Sequence, residues 1–343
     1  MLYICIFFLL LFSCFIKSPL DKKYLYCSFL CVLILIAGFR DSSVGVDTAI
    51  GYKTYFDYIS RGISMPYVEQ GWIKLNQLCI LLGIGYEGVI FFSFLLCIIP
   101  VLIAVRIEKT NILESLFIYY AMYLYLHAFN MIRQCIAMSF CMLALSLLLK
   151  KKYLNFLLSL FVAFMFHKSS VIFIISLPFL CIRLTRNRII FFILISFLIG
   201  GFFSQKLFIM IAGPYAGYLQ NSEFGFRPTS IVIKVFTLLL DCLFLFFILI
   251  ERKQYLNEVW LKILLLGYLC MNCTMGLVLG TRLMFYFTQA QVFFYPKYFE
   301  KKQKDRLSLR IIFYSYLFIN FMRILLGQWS SLVPYNNILW RFL

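Results

Sequence analysis

The sequence predicts an all-α, polytopic integral membrane protein, and three observations carry this prediction. Hydrophobic residues make up 63% of the 343 residues and charged residues only 13%, whereas soluble domains have roughly 45–50% and about 25%. The hydrophobic residues form long runs, of the length that a membrane-spanning helix needs. The basic residues form short clusters between those runs. No soluble fold buries so many runs of this length.

The basic clusters orient the chain in the membrane. Short loops rich in Lys and Arg stay in the cytoplasm. If each cluster is cytoplasmic and successive spans cross the membrane in alternate directions, the chain has about twelve transmembrane helices with both termini outside. The clusters lie at 17–23, 106–109, 150–152, 183–188, 251–253 and 297–306. The expected spans lie near 1–16, 25–39, 88–105, 112–127, 132–149, 154–167, 169–182, 189–205, 231–250, 259–278, 283–296 and 308–326.

Residues 1–343 therefore form a single transmembrane domain with three external, periplasmic segments. These are a first large loop at 40–87, a second at 206–230 and a tail at 327–343. The stretch at 74–86 is too short for a span and is expected to be an interfacial or re-entrant helix. Basic clusters flank 154–182 on both sides, so this region is expected to form a hairpin that turns at "FHKSS".

Several classes of function are excluded. The net charge of +18 is dispersed in small clusters, which argues against a nucleic-acid partner. The twelve cysteines lie almost all in apolar runs, where cysteine acts as a small hydrophobic residue, and no metal-ligand spacing is present. The sequence has no Walker motif, no GxSxG and no DxD motif. We expect no ATP use, no nucleotide-sugar chemistry, no metal and no cofactor.

Polar residues interrupt the apolar pattern at "HAFNMIRQCIAMSF" (127–140). Asn130, Arg133 and Gln134 are expected on one face at the outer mouth of a helix, and Ala137 keeps that face open. A charge inside a bilayer costs at least about 2.5 kcal/mol and usually faces the protein interior or a water-filled cavity. An arginine alone could extend to lipid headgroups, but the clustered amides favour a functional site.

Other polar residues are expected at the same membrane level. Arginine binds phosphate through two parallel hydrogen bonds and keeps its charge, so three arginines around a cavity predict an anion site. The polar residues expected at this level are Arg40 and Asp47 after the second span, His167 at the hairpin tip, and Arg282 with Tyr286 and Gln289 on its helical face.

One acidic residue lies in the middle of an apolar run. Asp241 is central in 231–250, and Lys234 lies two turns away on the same helical face. An intramembrane acid indicates function by default, but structural pairing with another helix is equally open.

An ordered set of short motifs covers most of the chain, from roughly residue 35 to 338. It comprises "FRDSSVGVDTAIGYKTYF", "VEQGWIKLN", "NMIRQCIAMSF", "KKKYLNFLLSLFVAFMFHKSSVIFIISLPF", "TRLMFYF" and "VPYNN". Together these motifs resemble those of EpsG-type Wzy polysaccharide polymerases. One motif departs from the family pattern, because "EQGW" stands where relatives often have Glu-Pro-Gly and an aromatic residue.

The resemblance implies a GT-C-like polymerase of O-antigen, capsular polysaccharide or exopolysaccharide in a bacterial inner membrane. Such enzymes need no metal and transfer a growing glycan from undecaprenyl diphosphate to the next lipid-linked repeat unit, on the periplasmic face. The expected partners are these lipid-linked oligosaccharides, the lipid bilayer and a Wzz-type chain-length regulator.

A mechanism follows as a hypothesis. Arg40, Arg133 and Arg282 would neutralise the diphosphate as the glycosidic bond breaks. A base would assist attack by the acceptor hydroxyl, and the sequence leaves Asp47, Glu69 and His167 open for this role. An inverting displacement is expected, since no residue stands out as a covalent nucleophile. Substrate would be bound by Asn130, Gln134, Tyr286, Gln289 and Tyr335.

A flippase and a membrane acyltransferase are the two alternatives to a polymerase. A flippase for lipid-linked oligosaccharides would need polar residues through the whole membrane depth, and here they concentrate at the outer face. A membrane acyltransferase would use cytosolic acyl donors and a buried histidine, and His167 is expected at the opposite face.

Overall fold

The computed structural model describes residues 1–16, 18–202, 230–250, 255–277, 280–300, 306–327 and 331–338. All regular secondary structure in these ranges is helical, apart from an isolated bridge between Arg40 and Asn337. The all-α prediction is therefore confirmed for this part of the chain. Apart from Ser230, the second predicted loop lies outside the described residues. The basic cluster at 251–253 and part of the C-terminal tail also lie outside them.

Sixteen α-helices are described in these ranges. They are α1 (Leu2–Ser13), α2 (Pro19–Gly38), α3 (Lys53–Ser60), α4 (Gln70–Leu81), α5 (Gly85–Glu108), α6 (Ile112–Ala121), α7 (Leu124–His127), α8 (Ile132–Leu149), α9 (Tyr153–Phe166), α10 (Ser176–Leu180), α11 (Arg186–Phe202), α12 (Ile231–Ile250), α13 (Val259–Cys273), α14 (Gly280–Thr288), α15 (Gln291–Glu300) and α16 (Arg306–Leu326). A π-helical turn spans Thr48–Tyr52 and a 3₁₀-helix spans Lys168–Ile175.

Local sequence explains several helix ends. The Ser18 hydroxyl accepts a hydrogen bond from the Asp21 amide, and Pro19 occupies the first helical position of α2, where its missing N–H costs nothing. Asn111 caps α6 in the same way by accepting from the Glu114 amide. Side-chain caps of this kind satisfy amide groups that have no partner within the helix.

Four of the described helices are long and apolar enough to cross a membrane: α5, α8, α12 and residues Leu307–Leu326 of α16. Five shorter apolar stretches of 10–17 residues accompany them. The chain is thus a membrane protein that is all-helical in its described part, and the larger number of about twelve spans stays a prediction. Two expected spans, 132–149 and 231–250, coincide with α8 and α12.

Two expected spans are not continuous helices, because each is broken into two helices. The span at 112–127 is interrupted at Tyr123. This residue has a left-handed φ of 67°, and an α-helix cannot continue through that conformation. The span at 283–296 is interrupted by a turn at Gln289 and Ala290. Hydropathy does not reveal such breaks, because it depends on the composition of a segment and not on its backbone angles.

The chain divides into two compact units, one formed by residues 1–170 and 295–343 and the other by 171–294. In the first unit α8 packs on α5 and α9, and it is the most buried of the four long helices. The Ser139 hydroxyl of α8 donates to the Cys97 carbonyl of α5 over 2.6 Å. Small residues allow such close approach of helices in lipid. The polar N-terminal end of α8 therefore belongs to a helix surrounded mainly by protein.

Ion pairs join helices at the end of the first unit where the sequence expects cytoplasmic clusters. Lys297 donates to Glu108 over 2.6 Å. Arg310 binds the fully buried Glu114 over 2.7 Å, and Tyr314 donates to the same carboxylate. Lys297 and Arg310 thus link α15 and α16 to the end of α5 and the start of α6.

The second unit contains α10 to α14. The Asn257 side chain pairs with the backbone of Leu184, accepting from its amide over 2.8 Å and donating to its carbonyl over 3.0 Å. Phe244 stacks on Tyr268 with ring centroids 4.3 Å apart, which ties α12 to α13.

Candidate active site

The segment at 40–87 is an ordered cap and not an open loop. It contains the π-helical turn, α3 and α4, and it is fixed to the turn before α8. The Thr48 hydroxyl donates to the Phe129 carbonyl over 2.6 Å, and Tyr86 donates to the Thr48 carbonyl over 3.0 Å. Gly45 has a φ of 101°, and a Cβ there would collide with the Phe129 carbonyl. This glycine is required both by its backbone angle and by close approach.

The predicted placement of Asn130 on the α8 face is wrong. Helix α8 begins at Ile132, so Asn130 lies in the preceding turn. There its side-chain oxygen accepts from the Asp47 amide over 3.4 Å. Asn130 thus helps to hold the cap against α8, while Gln134 is buried within the helix.

Three distant parts of the chain meet at Glu69, which precedes α4. Its carboxylate binds the guanidinium of Arg133 and lies 3.0 Å from Nδ1 of His167. The Lys168 amide also donates to it, over 3.4 Å. Arg133 lies in the first turn of α8 and His167 directly after α9, so one carboxylate connects the ends of three helices.

The charge on Glu69 is fixed by these neighbours. Burial raises the pKa of the carboxyl, but the hydrogen bond from His167 and the charge of Arg133 outweigh it and lower the pKa to about 2. Because a carboxylate only accepts hydrogen bonds, Nδ1 of His167 carries the proton, and Nε2 of a neutral ring keeps a lone pair. The His167 side chain is 27% exposed. The group can act as a general base.

Packing against α4 determines where His167 lies. A Cβ on Gly71 would come within 2.7 Å of the Met165 carbonyl, so α4 and the end of α9 touch through backbone atoms. Trp72, Leu75 and Ile136 belong to the buried apolar cluster beneath this contact. The departure "EQGW" from the family pattern therefore keeps the glycine that the contact requires.

Two tyrosines that the sequence reasoning missed form an aromatic wall beside Arg133. The Arg133 Cζ lies 5.8 Å from the Tyr52 ring centroid and 5.6 Å from that of Tyr55, a cation–π geometry. Tyr52 also contacts Trp72, with centroids 4.8 Å apart. Burial raises the pKa of Tyr52 to about 12, although the charge of Arg133 opposes this. The aromatic spacing in "YKTYF" (52–56) was the signal that could have revealed them.

Arg40 is buried and forms no ion pair with the residues that the structure describes. Its side chain lies 4.5 Å over the Phe129 ring, and Nη1 donates to the Ala37 carbonyl over 2.7 Å. Nε and Nη2 are buried and have no hydrogen-bond partner. Burial lowers the pKa of this guanidinium, and a desolvated cation of this kind favours the approach of an anion.

A small cavity of about 40 Å³ opens beside Arg40. Lys53 and Tyr86 line it together with the carboxylates of Asp41 and Glu87. Lys53 directly follows Tyr52 of the aromatic wall, so the cavity and the Glu69 cluster lie at the two sides of one helical turn. Lys53 was not among the residues that the sequence singled out.

Asp47 and Tyr335 lie in the same unit but do not contact the Glu69 carboxylate. Tyr335 donates to the Ile36 carbonyl over 2.9 Å and packs edge-on against Tyr3. The bridge between Arg40 and Asn337 fixes this C-terminal segment beside the cap. A role for Tyr335 in binding sugar stays a prediction.

Arg282, Tyr286 and Gln289 lie in the second unit. The Arg282 side chain is exposed in the first turn of α14, whereas Tyr286 is fully buried. Gln289 lies beyond the end of α14 and donates to the Tyr286 carbonyl over 3.4 Å, so its predicted place on the helical face of Arg282 is wrong. The roles of these three residues stay predictions.

Comparisons with known proteins complete the description of the site. No curated protein and no solved structure matches the chain. The profile of the EpsG family matches residues 23–337, a range that includes Arg40, Glu69, Arg133 and His167. The chain therefore belongs to the EpsG family, the family of Wzy-type polysaccharide polymerases.

Proposed function

We propose that the protein polymerises O-antigen, or a capsular polysaccharide or exopolysaccharide, at the periplasmic face of a bacterial inner membrane. It transfers the growing glycan from undecaprenyl diphosphate to the next lipid-linked repeat unit. Family membership supports the broad role. The observation that carries the specific proposal is the pairing of Glu69 with Arg133 and His167, because it supplies an oriented base in a chain that spans a membrane.

In the proposed reaction His167 acts as the general base. Glu69 holds Nδ1 at 3.0 Å and so directs Nε2 away from the carboxylate. Nε2 takes the proton of the acceptor hydroxyl while the hydroxyl oxygen attacks the anomeric carbon of the donor sugar. The bond from that carbon to the phosphate oxygen breaks, and the diphosphate leaves with the electron pair. A general base of this kind contributes about 10²–10⁴-fold to the rate.

The two arginines have different tasks in this proposal. Nη1 of Arg133 donates to Glu69, so Arg133 fixes the carboxylate that orients the base. Among the described residues Arg40 has two nitrogens without a hydrogen-bond partner and forms no ion pair, although Asp41 and Glu87 line the same cavity. We assign the diphosphate to Arg40, with Lys53 of the same cavity as a second cation. Charge that develops on the leaving group is then stabilised by preorganised donors.

The polymerase proposal is tested by deleting the gene and separating the surface glycans on a gel. Loss of the ladder with retention of a single repeat unit on the acceptor is the expected result. Complete loss of repeat units would instead indicate a flippase or an earlier step. Complementation with the wild-type chain should restore the ladder.

The orientation is tested by thiol labelling of intact cells after replacement of the native cysteines. A cysteine at Ser64, which is exposed between α3 and α4, should react with an impermeant reagent. A cysteine at Lys152, in the expected cytoplasmic cluster and equally exposed, should react only after lysis. The reverse pattern would contradict the periplasmic placement of the site.

A further inference from the structure

A buried polar cluster in the second unit is not used by the proposed reaction. Asp241 is 1% exposed at the middle of α12, Asn272 is 0% exposed on α13, and Ser196 is 4% exposed on α11. The three residues come from three different helices and lie in contact. The pairing of Asp241 with another helix, which the sequence left open, is thus with Asn272.

The hydrogen bonds of this cluster are incomplete in a specific way. The Asn272 amide nitrogen donates to Oδ2 of Asp241 over 3.0 Å and to the Ser196 hydroxyl oxygen over 3.0 Å. The Ser196 hydroxyl donates to the Ile193 carbonyl over 2.9 Å. Two oxygens remain, Oδ1 of Asp241 and Oδ1 of Asn272, and both are buried without a hydrogen-bond partner in the described part of the chain.

No positive charge compensates Asp241 among the residues that the structure describes. Lys234 lies two turns away on α12 with its ammonium 5.5 Å from the Phe202 ring centroid, and Lys262 of α13 donates to the Leu180 carbonyl. Arg186 and Arg188 stand in the first turn of α11. The other titratable groups on these helices are Cys242, Tyr268, Cys270 and Cys273. An isolated carboxylate at this depth is strongly disfavoured.

We propose that Asp241 is protonated and forms an acid–amide pair with Asn272. One proton on Oδ1 of Asp241, donated to Oδ1 of Asn272, gives both unpartnered oxygens a partner and removes the uncompensated charge. The pair then has two antiparallel hydrogen bonds, N–H to Oδ2 and O–H to Oδ1. Asp241 is thus a neutral proton-binding site that joins α12 to α13 inside the membrane, and this role is independent of the proposed polymerisation.

The surrounding helices hold Asn272 in place for this pair. A Cβ on Gly200 of α11 would collide with the Asn272 carbonyl, so α11 and α13 meet there through backbone atoms. The Asn272 amide also reaches the Ile193 carbonyl at 3.5 Å. The contacts of Asn272 with α11 therefore help to hold its amide in place beside Asp241.

Substitutions of matched shape test the proposal in purified protein in detergent. Asp241→Asn can form an amide–amide pair with the same two hydrogen bonds, so its melting midpoint should stay within about 2 °C of wild type. Asp241→Leu and Asn272→Leu should each lower the midpoint by several degrees. The exchange Asp241→Asn with Asn272→Asp restores an acid–amide pair and should recover most of the loss caused by Asn272→Asp alone. An Asp241→Asn midpoint as low as that of Asp241→Leu would overturn the proposal.

Infrared spectroscopy gives a readout that does not depend on any unstable variant. Wild-type protein at neutral pH should show the carbonyl band of a protonated carboxylic acid, which isotope labelling of aspartate shifts and Asp241→Asn removes. Absence of that band would contradict the proposal. So would a midpoint that sodium ions raise in wild type but not in Asp241→Asn, because a bound cation would then occupy the two free oxygens.

Discussion

The Glu69 carboxylate lies 3.0 Å from Nδ1 of His167, and this contact joins the N-terminal end of α4 to the C-terminal end of α9. Because Arg133 binds the other carboxylate oxygen, the histidine, the acid and the arginine form one connected cluster. Three helix ends must be correctly placed for it to exist. Substitutions at these helix ends are therefore of two kinds. Some remove a reacting group, and others displace it.

Removing the basic nitrogen of His167 should abolish polymer without unfolding the protein. His167→Asn keeps a donor near the Nδ1 position and can still bind Glu69, but it has no base. We expect a loss of at least about 100-fold in chain elongation, measured by incorporation of lipid-linked repeat units in membranes, at unchanged protein levels. His127, the other histidine of the chain, packs against Tyr123, and His127→Asn should leave elongation within a few-fold of wild type. Equal losses in both variants would argue against a specific role for His167.

The stabilisation that Glu69 provides should depend on pH in one direction. Its folded pKa of about 2 lies below the usual value of 4.5, so the contribution is complete above pH 4.5 and is lost as the pH falls towards 2. A shift of this size corresponds to about 3 kcal/mol. The midpoint difference between wild type and Glu69→Gln should be constant from pH 8 to 5 and shrink below that. A difference that persists unchanged at pH 3 would show that the charge of Glu69 is not responsible.

Arg133 should tolerate lysine poorly and alanine not at all. Lysine keeps a charge for Glu69 but loses the planar fork, and alanine leaves Glu69 buried without its main cation. Loss of one charge-assisted hydrogen bond costs about 1.5–3 kcal/mol, or roughly one to two decades in rate if it acts in the transition state. Gel ladders of complemented deletion strains give the readout. The same substitutions at Arg61, exposed at the end of α3, should leave the ladder intact, and wild-type ladders from Arg133→Lys would return Arg133 to a structural role.

Replacing Arg40 should abolish activity without lowering stability, unlike the replacement of Arg133. Because two of its buried nitrogens have no hydrogen-bond partner among the described residues, Arg40→Met removes a buried cation that forms no ion pair there, while it preserves much of the packing. We expect loss of polymer together with a melting midpoint no lower than that of wild type. Arg133→Met, which breaks an ion pair, should lose polymer and also lower the midpoint. A large drop in midpoint for Arg40→Met would indicate that this arginine is needed mainly for folding.

Gly71→Ala should impair the site without altering any reacting group. The added methyl would stand 2.7 Å from the Met165 carbonyl, so α4 must move away from the end of α9 and separate Glu69 from His167. Elongation should fall by about tenfold or more, since small displacements of catalytic groups have effects of this order. Gly51 has open space around it, and Gly51→Ala is the matched control. Normal elongation in Gly71→Ala would mean that α4 and α9 can adjust without cost.

Several parts of the site could be predicted from local sequence alone. Arg133 was singled out because a guanidinium at the end of an apolar run is costly unless it has a partner. Helix α8 was placed at 132–149 because its hydropathy is continuous. Asn130 was misassigned since periodicity does not show where a helix begins, and Tyr52 was missed because aromatic residues are common in membrane proteins.

Composition and the spacing of basic clusters by themselves determined that the chain is helical and lies in a membrane, and the order of motifs determined its family. Only the tertiary structure decided which charges are paired. Arg133 and His167 are 64 and 98 residues from Glu69, and Asn272 is 31 residues from Asp241. Hydropathy and periodicity report the preference of each segment for lipid or water. The choice of a partner depends on which side chains three-dimensional packing brings within hydrogen-bond distance, so Arg40 and Arg133 looked equivalent in sequence and differ in the fold.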